Sequence, residues 1–382
     1  MNEVLNGIDR LKEKGEILRG KRIGLVTNPS GVARNLQATL DILAKNFRLT
    51  ALFAPEHGVR GNYQNGACFT DTKDPQTGIP VFALYGHTPR LSAERLAEVD
   101  LVAWDIQDIG SRGFSYFRTL GMLMEDCIAF DRPLVIFDRI NPIGGEAVEG
   151  ILPDPAFEKN WGYGLPARFG LTTGEYARFI NAKYFGGACR LDVIPCSGWK
   201  RSMYGDDCGL QWINPSPNIP NVTSALIYAG CAAFGQTNVS EARGTTRPYE
   251  MYGAPFIDGM KLTRRLNGLS LAGVVFRECS FTPEYNMFRK YVGELCSGVQ
   301  VHITDKYAFD SFACGVWMME VIREDFTAFK IPFADEWTPF MFDSVLGSDS
   351  WRTGRESAPQ LLARAKKESS VFRQEVKEFL LY

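Results

Sequence analysis

An α/β fold is what this sequence predicts: a Rossmann-like, doubly wound, mainly parallel sheet followed by a smaller α+β C-terminal domain. Three observations predict it. Apolar runs of strand length alternate with segments of helical periodicity through the first half of the chain. Those runs break off in polar residues, as strands do when their carboxyl ends meet at one edge of an open sheet. At 382 residues the chain exceeds what one core usually organises, so two domains are expected.

Taken in order, Lys21 to Thr27 reads as a buried strand that stops at Asn28-Pro29-Ser30-Gly31, and Leu36 to Phe47 has helical spacing. The second strand, Leu49-Thr50-Ala51-Leu52, runs into Phe53-Ala54-Pro55-Glu56-His57-Gly58-Val59-Arg60-Gly61. Pro80 to Gly86 is a third, Ser92 caps a short helix to Glu98, and Asp100 to Asp108 is a fourth. A helix over Ser115 to Phe130 leads to the fifth strand, Pro133 to Arg139, which ends before Asn141-Pro142. Thr172-Thr173-Gly174-Glu175 then opens a helix to Tyr184, and Leu191 to Pro195 is a further strand.

Trp212 to Pro220 packs three prolines into nine residues, too rigid for regular structure and suited to line a cleft or join domains. The domain boundary is expected just after it, near Thr223, giving domains 1–223 and 224–382. The second domain holds strands at 272–277 and 299–303 and helices at 310–323, 358–367 and 370–379.

Charge and composition exclude several function classes. The 42 Lys and Arg against 44 Asp and Glu leave a net charge of -2, without the basic footprint of a nucleic-acid or anionic-membrane binder. A small or neutral partner is expected, and the sequence carries no sign of oligomeric state. No apolar run approaches the roughly 20 residues of a membrane span. The opening Met1-Asn2-Glu3-Val4-Leu5 is no secretion signal, so the chain reads as cytoplasmic, or as periplasmic or exported if a signal peptide has been removed. Nine scattered cysteines, an odd count, predict reduced and mostly buried thiols. His57, His87 and His302 lie far apart, with no His-x-x-x-His or Cys-x-x-Cys, so no metal is expected. The first strand turn lacks Gly-x-Gly-x-x-Gly and no Gly-Lys-Ser/Thr occurs, so neither NAD nor ATP is expected and no cofactor is assigned.

What the strand ends offer is a polar set: Asn28, Glu56, His57, Asp105, Gln107, Asp108 and Asp138, with Arg112 and Tyr116 just beyond. Such carboxylates and amides suit a polyol such as a sugar. Glu56 is the leading catalytic candidate, set at an abrupt strand end with Gly58 and Gly61 beside it; the competing reading is a turn glutamate in a solvated loop. His57 either tunes Glu56 or hydrogen-bonds a sugar hydroxyl, or it braces the loop. Arg112 and Tyr116, one helical turn apart, would share a face toward the cleft, unless the tyrosine belongs to the core. In Asn238 to Glu250, the residues Glu241, Arg243 and Arg247 form either an ion-pair network or, with Gly244 and Thr245, an anion clamp.

Several of these motifs, in one order, resemble a known family. Pro55-Glu56-His57-Gly58, Trp104-Asp105-Ile106-Gln107-Asp108-Ile109-Gly110, Arg112 with Tyr116, Asp138-Arg139 with Asn141-Pro142, Ser216-Pro217-Asn218-Ile219-Pro220 and Glu241-Ala242-Arg243-Gly244-Thr245 are similar to those of the NamZ-type exo-β-N-acetylmuramidases, formerly a domain of unknown function. The chain departs from the pattern at Ile140, where proline is expected, and at Ala242, where glycine is expected.

The resemblance implies a glycoside hydrolase that releases N-acetylmuramic acid from the non-reducing end of peptidoglycan fragments, with Glu56 as catalytic residue and the active-site cleft between a Rossmann-like N-terminal domain and the smaller C-terminal one. Glycosidic cleavage commonly uses two carboxyl groups, about 5 to 5.5 Å apart for retention and about 6.5 to 9.5 Å for inversion. Asp105, Asp108, Glu149 and Glu241 are all candidates for the second, with Glu241 and Asp105 assigned as catalytic; the sugar's own 2-acetamido group is another. Asn28, Gln107, Asp108, Asp138, Asn141, Glu149, Asn218 and Thr245 are expected to bind substrate with His57, Arg112 and Tyr116. Arg243 is expected to meet the lactyl carboxylate, followed by Arg247 and Arg112. The alternative is a non-enzymatic sugar or muropeptide sensor that uses the same cleft. Phosphoryl transfer is more distant, for want of a phosphate loop.

Overall fold

A computed structural model describes residues 3–61, 70–86, 90–284, 290–331 and 337–382. Seven strands form the large sheet: β1 (Arg22–Thr27), β2 (Arg48–Ala54), β3 (Thr72–Lys73), β4 (Pro80–Ala83), β5 (Leu101–Asp105), β6 (Leu134–Phe137) and β7 (Leu191–Ile194). Their order is β3-β4-β2-β1-β5-β6-β7, parallel throughout except for the short edge strand β3. After α1 (Leu11–Lys14), the helices α2 (Thr39–Asn46), α3 (Ser115–Ala129) and α4 (Thr173–Phe185) join the parallel strands. The chain moves outward from β1 to β2 and β4, then returns across the sheet to β5. The crevice between β1 and β5 is therefore the topological switch point, where open sheets bind ligands.

Alternation along the strands divides the core between two faces. Ile23, Leu25, Leu101, Ala103, Val135 and Phe137 pack toward α2 on one side. Val26, Val102, Trp104, Leu134 and Ile136 pack on the other with α3 and α4, in a cluster that continues without a break into the second half of the chain. Parallel register sets Thr27 opposite Asp105 and Ala54 opposite Ala83, so the loops after β1, β2, β4 and β5 leave from one edge.

The smaller sheet is antiparallel, in the order β8 (Met251–Ala254), β10 (Cys296–Ile303), β9 (Val274–Phe281). Around it lie α5 (Val222–Cys231), α6 (Gly259–Gly268), α7 (Ser311–Asp325), α8 (Trp337–Leu346) and α9 (Ala358–Glu375). The crossing of α5 and α7 is as close as backbones allow. A Cβ on Gly230 would stand 1.8 Å from the Ser311 carbonyl oxygen, and one on Gly315 would stand 2.1 Å from that of Gly230.

The mainly parallel α/β sheet with a smaller second domain is thus as the sequence predicts, and several elements differ. Ser92 to Glu98 forms successive turns rather than a helix, its Ser92 carbonyl accepting from Leu96 at 3.0 Å. The two helices expected at 358–367 and 370–379 are one helix, α9. The polar run Lys366-Lys367-Glu368-Ser369-Ser370 looks like a break, but Ser369 is buried and donates to the Gly150 carbonyl at 2.9 Å, so the helix runs through. Strand β8 and helices α5, α6 and α8 were not anticipated. No helix among the described residues is long and apolar enough to cross a membrane. The eight described cysteines are free thiols, all buried except the half-buried Cys279; Cys68 and His87 lie outside the described residues.

Candidate active site

Glu56 follows β2 by two residues, and the chain turns away from it through His57 (φ 77°) and Gly58 (φ 75°). A left-handed non-glycine residue costs on the order of 1 to 3 kcal/mol and persists only where its surroundings impose it. Ser115, the first residue of α3, donates its hydroxyl to Glu56 Oε2 at 3.1 Å. Next along α3, the Tyr116 hydroxyl donates to the Pro215 carbonyl at 2.7 Å and accepts from Asn28 Nδ2 at 2.7 Å. It lies 3.5 Å from the Glu56 carbonyl oxygen. Asn28 also reaches Pro215, at 3.2 Å. These bonds tie the end of β1, the start of α3 and the proline-rich segment around Glu56.

Glu56 opens into a cavity of about 410 Å³ whose lining includes His57, Tyr116, Arg118, Trp161 and Arg243. Tyr85, Phe114, Tyr228 and Tyr249 add an aromatic wall. The rings of Tyr228 and Tyr249 meet edge to face at 4.8 Å, and the Arg243 guanidinium lies over Tyr249 at 5.8 Å. Among the described lining residues, Glu56 is the one carboxylate, facing two guanidinium groups. The same proline-rich segment also lines a second cavity, of about 350 Å³, through Trp212 and Ile213, with Ser30, Gln107 and Arg139 at the ends of β1, β5 and β6.

Other expected site residues stand elsewhere. Asp105 is fully buried, paired with Arg139 at 2.5 Å and hydrogen-bonded by Thr39. Burial pushes its carboxyl up against the pull of Arg139. Asp108 accepts from the Ile109 and Gly110 amides at 2.6 and 3.0 Å, while buried Oδ2 has no partner among the described residues; burial drives this carboxyl well above its usual range. Asp138 accepts from Thr172, Gly174 and the Tyr382 hydroxyl, each at 2.7 Å, and burial pushes it up to about 6. Glu149 pairs with Arg168 at 2.5 Å and accepts from the Ser311 amide at 2.8 Å, anchoring the start of α7. Gln107 donates to the Asp108 and Ile140 carbonyls, and Asn141 to that of Leu171.

Arg112 precedes α3, so the face expected to be shared with Tyr116 does not form. Its buried guanidinium donates to four carbonyls: Ile151 and Leu165 at 2.9 and 2.7 Å, Val345 and Leu346 at 3.1 and 2.6 Å. It clamps α8 onto the large domain. Asn218 is half-buried beside Ser216 and Ile219, which do line the Glu56 cavity.

The Glu241 segment contains the ion-pair network. Glu241 is buried between Arg243, bonded through Nε, and Lys290 at 2.8 Å. Burial alone would raise its carboxyl, but Arg243 and Lys290 together hold it down, at about 2. Ala242 has φ 57°, which gives a physical reason for the expectation of glycine there. Thr245 donates to the Ala242 carbonyl at 2.7 Å, and the largely exposed Arg247 pairs with Glu250 at 2.8 Å. Of this segment, Arg243 and Tyr249 reach the cavity.

Ser115, Arg118, Trp161, Tyr228 and Tyr249 are cavity residues that the sequence reading did not single out as site residues. For Ser115 and Arg118 a signal existed: both lie in the expected helix after the fourth strand, three residues apart and so on one face. Among the described residues, no three of His, Cys, Asp and Glu are grouped as a metal would require.

Comparison with known proteins gives the family. The model of the N-terminal domain of exo-β-N-acetylmuramidase NamZ matches residues 23–223, and that of the C-terminal domain matches 226–382. The peptidoglycan β-N-acetylmuramidase NamZ of Bacillus subtilis is 39% identical over 391 residues, covering 100% of this chain and 92% of the relative. Two crystal structures of DUF1343 family proteins from Bacteroides fragilis have the same fold. One has a TM-score of 0.89 at 34% identity and the other 0.80 at 29%, each covering 100% of this chain and 99% of its own. Matched over residues 23–223 and 226–382, the chain belongs to the NamZ exo-β-N-acetylmuramidase family.

Proposed function

We propose that this chain hydrolyses the β-glycosidic bond of a non-reducing-end N-acetylmuramic acid in peptidoglycan fragments, with Glu56 as general acid. The reading places the cleft between a first domain ending near residue 223 and a second from 224 onward. What carries it is the setting of Glu56: a carboxylate held by Ser115 at the mouth of an aromatic-walled cavity that also presents Arg118 and Arg243. Aromatic faces suit the apolar faces of a sugar ring, and the guanidinium groups suit its acidic substituent.

Glu56 would protonate the leaving oxygen as the bond to the anomeric carbon breaks. With no second carboxylate among the described lining residues, the role of nucleophile falls to the 2-acetamido oxygen of the sugar, as in substrate-assisted glycosidases. Water then attacks the anomeric carbon, Glu56 takes its proton, and the sugar leaves with its configuration retained. Asp105, Glu149 and Glu241 take part as braces, each already paired with a buried cation.

The experiment is incubation with a chromogenic β-N-acetylmuraminide, using wild-type protein and Glu56→Gln. Release of the sugar by the wild type, cut roughly 10²- to 10⁴-fold by the substitution at unchanged thermal midpoint, is the expected result. Tight binding of the sugar without release would make the protein a sensor. Near-normal turnover by folded Glu56→Gln would move the acid to another residue.

A further inference from the structure

N-acetylmuramic acid and N-acetylglucosamine differ by one lactyl ether that bears a carboxylate, so a site that selects the former needs a cation for it. Three arginines were expected to serve. Arg112 is engaged by four backbone carbonyls, and Arg247 pairs with Glu250 and does not line the cavity. Arg243 does line it, but its charge is offset by Glu241 and its plane is fixed over Tyr249.

Arg118 differs from all three. It lines the Glu56 cavity and is exposed, and among the described residues no hydrogen bond or ion pair engages its guanidinium. It follows Ser115 by three positions on α3, which sets the two Cβ atoms roughly 5–6 Å apart on one face of the helix. Ser115 touches the Glu56 carboxylate. In the pose we infer, a sugar whose C1 oxygen is at Glu56 turns its C3 substituent toward the first turn of α3, the turn that carries Arg118.

We propose that Arg118 is the specificity-determining residue of this site and binds the lactyl carboxylate of N-acetylmuramic acid. The proposal rests on the glycosidase reading above. A guanidinium offers a planar fork that matches a carboxylate with two parallel N–H donors. Since no ion pair or hydrogen bond engages Arg118 among the described residues, its guanidinium is available to one. Arg243 then acts as a positioning residue, holding Tyr249 and Glu241 in place behind the sugar.

The test compares kcat/KM on chromogenic β-N-acetylmuraminide and β-N-acetylglucosaminide for wild type, Arg118→Ala, Arg118→Gln and Arg118→Lys. Arg118→Ala and Arg118→Gln should lower efficiency on the muraminide at least about tenfold and on the glucosaminide much less, so that the ratio collapses. Arg118→Lys should keep part of the preference, since it retains charge without the fork. Because Arg118 is an exposed helix residue, thermal midpoints should not move. An equal fall on both substrates, or an unchanged ratio, overturns the assignment. Wild-type protein that hydrolyses neither substrate overturns the glycosidase reading itself, and this proposal with it.

Discussion

The Ser115 hydroxyl donates to Glu56 Oε2 at 3.1 Å, joining the loop after β2 to the first turn of α3. The bond fixes the carboxyl rotamer, and the helix N-terminus behind it favours negative charge. As Glu56 gives up its proton, the carboxylate that forms is stabilised at that moment. Ser115→Ala should therefore lower kcat about tenfold with little change in KM, the loss of one hydrogen bond to a charged acceptor. Steady-state kinetics with a melting curve check this; an unchanged kcat would leave Ser115 a bystander.

Arg112 makes a different prediction, about stability. Truncation to alanine leaves the carbonyls of Ile151, Leu165, Val345 and Leu346 without their buried donor, at ~1–3 kcal/mol for each group that water cannot reach. Arg112→Ala should unfold at markedly lower denaturant, with α8 released first in hydrogen exchange. Arg112→Lys should rescue little, because a single ammonium cannot span four acceptors. A denaturation midpoint within error of wild type would show that the clamp holds nothing.

Glu241 sets a pH dependence. Its folded carboxyl sits at about 2, below its ordinary value of 4.5. The stability it contributes is therefore fully present above about pH 4.5 and is lost as pH falls toward 2. Glu241→Gln removes the carboxylate shared by buried Arg243 and half-buried Lys290 and should cost on the order of 3–5 kcal/mol at pH 7. Its stability should also decline less steeply than that of wild type between pH 4.5 and 2. Parallel curves over that window would mean that Glu241 titrates normally.

The sheet was legible because its signal is local: an apolar run and the polar residue that stops it need no knowledge of the rest of the chain. Glu56, His57 and Tyr116 could be placed near the cavity on that basis. The same signal marked Asp105 and Asp138 equally, and what separates them from Glu56 is remote. Asp105 meets Arg139 and Thr39, and Asp138 meets Thr172 and Tyr382. Glu149 finds its second partner, Ser311, 162 positions away. Arg112 read as a ligand residue since a cation near a strand end looks functional; its acceptors are backbone carbonyls, which leave no trace in side-chain identity. The unanticipated α6 has only Leu262 and Leu266 as buried large apolar residues, too sparse a stripe to stand out.

The last residues of the chain belong in space to its beginning. Arg364 on α9 bonds Asp154, Ser369 bonds the Gly150 carbonyl, and the Tyr382 hydroxyl bridges the Cys196 amide and Asp138 at the end of β6. During synthesis the large sheet, whose last strand ends at Ile194, thus emerges from the ribosome well before α9, which begins at Ala358. Until residue 382 has been made, Asp138 lacks one of its hydrogen-bond donors and the surface under α9 stays bare. A fragment cut near residue 223 would therefore carry an open flank where α9 and Tyr382 now lie.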